Sequence, residues 1–127
     1  MTLRECVKAY TALNTLMDKE CGFKTAYAFS KLHAILKPSV EFFIEKEQEL
    51  VNEFAEKNED GTVCMLNSSQ FKIAPNKDPL DFARRHDELE NVDMGEEITK
   101  MSVHAPDSIS ASNIIALEGF LDFIVDE

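Results

Sequence analysis

Apolar residues recur along this chain at two different periods, and the change of period marks where helices give way to extended segments. Leu3, Cys6, Val7, Tyr10, Leu13 and Met17, with Ala9 and Ala12 beside them, fall at spacings of three and four. That is the stripe of an amphipathic helix. Thr2 with Glu5 three residues on makes a capping box, in which hydroxyl and carboxylate each satisfy a backbone N–H left open by the first turn. The pattern predicts a first helix from 3 to about 19, stopped at Gly22. A second run extends from about 23 to about 58 and ends at Asp60-Gly61. At roughly 100° per residue, Leu32, Leu36, Val40, Phe43, Leu50, Val51 and Phe54 share one side of it. Glu41, Glu45, Glu49 and Glu53 form a row on the other. Pro38 lies inside this run. Its missing N–H and its clash with the preceding turn predict a kink or break near Ile35 to Lys37.

After Gly61 the period becomes two. Thr62-Val63-Cys64-Met65-Leu66 and Gln70-Phe71-Lys72-Ile73-Ala74, separated by Asn67-Ser68-Ser69, read as a β-hairpin. Asp78-Pro79 supplies an N-cap acid followed by Pro at the first helical position. The helix it starts should reach about Glu90, with Phe82, His86 and Leu89 as its stripe and with Asp81–Arg85 and Arg84–Glu88 as ion pairs. Ile98 to Val103 is β-prone and predicts a third strand. The turn from Pro106 to Ser110 leads into a last helix from about 111 to 125, apolar around most of its circumference and therefore buried or docked on a partner. Gly119 in its middle calls for a close helix–helix approach. The expected fold is one α+β domain over 1–127. It is predominantly helical, with a long kinked or broken helix, a small antiparallel hairpin or three-stranded sheet, and a buried C-terminal helix.

Charge changes the functional picture more than the fold. The chain carries 24 acids against 13 bases, for a net charge of −11. From Asp87 onward there are eleven acids and one base, Lys100. Such a field repels nucleic acid and anionic membrane and favours a basic protein partner. No stretch approaches the roughly 20 apolar residues of a membrane span, and the first residues lack the apolar core of a signal peptide. A cytoplasmic or virion-associated protein is expected. Cys6, Cys21 and Cys64 are odd in number and form no CxxC, which fits free thiols.

Site chemistry is sparse. His33, His86 and His104 stand apart from any metal-ligand spacing, and no GxGxxG, GxxxxGK[ST] or GxSxG occurs. The acids Glu90, Asp93, Glu96 and Glu97 surround Gly95 without the alternating spacing of a calcium loop. No catalytic residue, cofactor or metal is expected. Glu47 is the odd residue, projecting onto the apolar side of the long helix between Phe43 and Leu50. It is either paired with Arg84 or Arg85, at the rim of an interface, or a buried carboxylate. An enzyme would need an apolar pocket around Glu47 or His86.

The long charged helix ending in Glu56-Lys57-Asn58-Glu59-Asp60-Gly61, the short β segment, the run from Phe82 through Ala83-Arg84-Arg85-His86-Asp87-Glu88-Leu89-Glu90-Asn91-Val92, and the acidic tail give a layout over about 23–104. It resembles small proteins of unknown function from tailed phages and prophages of Gram-positive bacteria. The resemblance implies a phage setting and offers no catalytic residues. The function expected is a non-enzymatic protein-interaction protein tied to particle assembly and able to self-associate. Its candidate contact surfaces are the exposed row Glu41, Glu45, Glu49 and Glu53 and the last helix through Phe120 and Leu121. The alternative is an acidic nucleic-acid mimic that inhibits a host defence or nucleic-acid enzyme, its carboxylates standing in for phosphates in a basic groove.

Overall fold

The capping box starts the fold as its residues dictate. Thr2 Oγ1 accepts from the Glu5 N–H and the Glu5 carboxylate accepts from the Thr2 N–H. The structure, a computed structural model, describes residues 1–19, 21–95, 98–106 and 109–124. Glu96, Glu97, Asp107, Asp126 and Glu127 of the acidic last third, with Ser108 and Val125, lie outside the described residues. Helix α1 (Leu3–Leu16) ends earlier than the stripe suggests, and Met17 is an exposed C-cap. Ala9 and Ala12 sit at the centre of its buried face, while Val7 and Tyr10 border it. The small residues let neighbouring side chains come close to the helix.

Helix α2 (Phe23–Phe54) is 32 residues long and runs through Pro38 as one element. The kinked or broken helix of the sequence reading is thereby corrected. Leu36 and Val40, on either side of the proline, are buried, whereas Ala34 and Pro38 are exposed. The carbonyl that loses its donor therefore faces solvent, and the buried neighbours hold the helical course.

The chain groups into two compact units, Met1–Glu41 with Asp93–Glu127, and Phe42–Val92. In the first, the α1 stripe packs with Phe29, Leu32 and Leu36 of α2 and with Val103, Leu117, Phe120 and Leu121. Burial of each large side chain contributes roughly 1.5–3 kcal/mol. The sheet of this unit is two-stranded and parallel. β1 (Met101–His104) pairs with β2 (Leu121–Ile124) in the register Met101↔Leu121 to His104↔Ile124. Helix α4 (Ala111–Leu117), capped by Ser110 accepting from the Asn113 N–H, lies between them in the chain. Two sequence expectations are overturned here. The expected strand before His104 joins no antiparallel hairpin. The expected C-terminal helix stops at Leu117, with Leu117 its buried residue, and the chain becomes β2. Gly119 lies past the C-cap Glu118, where a Cβ would come within 2.8 Å of Met1 Cε.

The second unit shows why no antiparallel sheet forms. Glu56 N–H donates to Lys72 O, Lys72 N–H to Cys64 O, and Cys64 N–H to Glu56 O, each at 2.8 Å. This closed triangle joins three antiparallel contacts, each of a single bridge, Ala55↔Ile73, Lys57↔Val63 and Met65↔Phe71. The predicted hairpin survives as its turn, where Asn67 Oδ1 accepts from Ser69 and Gln70 N–H, and as one bridge, without a strand ladder. Helix α3 (Pro79–Glu90) follows, with Asp78 accepting from the Leu80 N–H and Pro79 at its start, as the sequence predicts. Phe54, Phe71 and Phe82 meet edge to face at the core of this unit, in arrangements that add about 0.5–1.5 kcal/mol per pair.

Candidate interaction groove

Within the second unit, α2 and α3 leave a groove of 440 Å³ between them. Phe42, Leu50, Leu89 and Val92 provide its apolar lining. Phe42 and Val92 remain 45% and 43% exposed while Leu50 is buried. Glu49, Glu53 and Glu88 supply the acids and Lys46 and Arg85 the bases. On α2 the contributing residues fall at 42, 46, 49, 50 and 53, the spacing of one helical face.

The charged border is held by ion pairs. Lys46 Nζ reaches Glu49 at 3.1 Å and sits over the Phe42 ring, and Arg85 pairs with Glu53 and lies over the Phe54 ring. Arg84 bridges Asp81 and Glu88, and the Asp81 carboxylate beside it pushes the guanidinium above its usual value. The expected Arg84–Glu88 pair is present. The expected Asp81–Arg85 pair is not, because Asp81 meets Arg84 and Arg85 turns to α2. All of these side chains are substantially exposed, so each pair is weak.

On another part of the same helix pair, Glu47 and Glu90 clamp His86. Glu47 Oε2 lies 2.8 Å from Nε2 and Glu90 Oε1 3.1 Å from Nδ1. The ring stacks on Phe82 and meets Phe43 edge-on. Carboxylates only accept, so both contacts are hydrogen bonds when each ring nitrogen carries a proton. The partner of Glu47 is thus His86, where the sequence predicts Arg84 or Arg85. Both ring nitrogens thus have a carboxylate within hydrogen-bond distance.

The remaining candidates are dispersed. Glu41 pairs with Lys37 in the first unit, while Glu45 is exposed with no ion pair among the described residues. Phe120 and Leu121 are each 2% exposed and belong to the core of their own unit, at the floor of a 290 Å³ pocket. Cys6 is buried, its Sγ 3.2 Å from Met94 Sδ, and burial raises its thiol pKa. Cys21 and Cys64 are free and partly exposed. Among the described residues no three His, Cys, Asp or Glu side chains could hold a metal ion, and no helix is long and apolar enough to cross a membrane. Of the groove residues, sequence reasoning names Glu49 and Glu53 as candidate contacts, places Leu89 only on an apolar stripe, and misses Phe42, Lys46 and Val92. The signal for the first two was their helical spacing with Glu49 and Glu53; Val92 lies beyond the end of α3 and left none. Compared with protein-family models, with curated proteins and with solved structures, the chain matches none of them.

Proposed function

We propose that this chain is a non-enzymatic protein-interaction protein and that a partner docks in the groove of the second unit. One observation carries the reading. Phe42 and Val92 stand open to solvent over Leu50, inside a border of charged side chains, which is the arrangement of an interface core and its rim. The cluster nearest to catalytic chemistry, Glu47–His86–Glu90, has both ring nitrogens taken up by its own carboxylates. In the phage setting that the resemblance implies, such a protein is a minor assembly component, acting in the host cytoplasm or in the particle. The nucleic-acid-mimic reading has less support, because the row it rests on is divided: Glu41 belongs to the first unit, and Glu49 and Glu53 border an apolar lining.

The test is photo-crosslinking in producing cells. A benzoyl-phenylalanine placed at Phe42 or Val92 should yield one discrete covalent protein adduct, and the same probe at exposed Ser68 should yield none. Equal labelling at all three positions, or no adduct at Phe42 and Val92, would refute the docking role.

A further inference from the structure

The chemistry of the groove also selects its occupant. We infer that it receives a cationic amphipathic segment of a partner protein, one that sets an apolar side chain between Phe42 and Val92 and brings Lys or Arg to Glu49, Glu53 and Glu88. This rests on the docking role proposed for the same groove. Three observations carry it. The second unit holds twelve acids against six bases, so a cationic segment is drawn to it over a longer range than any single contact. The three groove acids are already engaged by cations of the chain itself, Lys46, Arg85 and Arg84, whose side chains are at least two-fifths exposed. Each such pair is weak, so an incoming guanidinium or ammonium can take its place, and the groove displays the recognition pattern with its own side chains. Finally, a second copy is a poor occupant, since two chains of net charge −11 would repel as they approach.

Three probes test the assignment by fluorescence anisotropy at low and at physiological salt. They are a short helical Leu/Lys amphipathic peptide, a scrambled peptide of the same composition, and a Leu/Glu analogue. The amphipathic cationic peptide should bind about tenfold more tightly than the scrambled one. It should weaken by about tenfold against the combined Glu49→Gln, Glu53→Gln and Glu88→Gln variant, with a smaller loss for Phe42→Ser. These exposed substitutions should leave the far-UV circular dichroism unchanged. Equal binding of the cationic and scrambled peptides would reduce the effect to general charge attraction and overturn the inference, as would preference for the Leu/Glu analogue. The crosslinked segment separates the two levels. An adduct at Phe42 to a segment without Lys or Arg, or to a second copy of this chain, overturns the cationic occupant and leaves the docking role standing. Absence of any adduct removes the docking role itself.

Discussion

His86 shows how a single side chain can tie two helices together. Replacing it with Leu leaves Glu47 and Glu90 without their shared donor. Because the cluster is only partly buried, the expected cost is about 1–2 kcal/mol, measured by urea unfolding. Adding Glu47→Gln and Glu90→Gln should recover much of that loss; no recovery would mean that packing of the ring against Phe43 and Phe82 is what matters. Asp60 offers a pH test. The Thr62 hydroxyl and N–H donate to its carboxylate at 2.6 and 3.1 Å and hold its pKa below the usual 3.8. The ionised form is the bonded one, so the contribution is present above 3.8 and is lost as pH falls through the lower folded value. In Thr62→Val the Asp60 midpoint, followed by carbon NMR, should move up toward 3.8; an unmoved midpoint would contradict the assignment. At this scale the sequence exposed both Glu47 and His86 as polar residues on apolar stripes. It could not pair them, because 39 residues separate them and their meeting depends on how α3 is set against α2.

At the scale of elements, local caps were legible and long-range pairings were not. Thr2 with Glu5 and Asp78 with Pro79 act through neighbours within one turn, and both helices start where those residues place them. Pro38 does not divide α2 because the lost donor weighs less than the burial of Leu36 and Val40 on either side. Pro38→Ala restores the hydrogen bond within an unchanged helix, so it should raise unfolding stability by about 1–3 kcal/mol at constant far-UV circular dichroism. A change in helix content would instead mean that α2 is divided there. The segment Phe120-Leu121-Asp122-Phe123-Ile124 fits a buried helix and a buried strand equally well by composition. Gly119 is the punctuation that separates α4 from β2, and pairing with β1 settles the choice. The triangular junction at Glu56, Cys64 and Lys72 was invisible because its first arm continues directly from a helix, and no alternation announces it.

Across the whole molecule, charge is the property most plainly written in the sequence. A net charge of −11 on 127 residues sets self-repulsion against a few weak exposed ion pairs, and the expectation is that repulsion is the larger. Raising salt from about 0.01 to about 0.15 M, which shortens the screening length to about 8 Å, should therefore raise the thermal midpoint. A fall would mean that the surface pairs outweigh the repulsion. Composition could not place the groove, which exists only where Phe42 and Leu50 of α2 meet Leu89 of α3 and Val92 just past its end. The most direct measurement is the amide NMR spectrum of the isotope-labelled chain titrated with the cationic amphipathic peptide. Shifts concentrated at Phe42, Lys46, Leu50, Leu89 and Val92 are the expected result. Shifts spread over exposed acids such as Asp18, Glu118 and Asp122, with the groove amides unmoved, would contradict it.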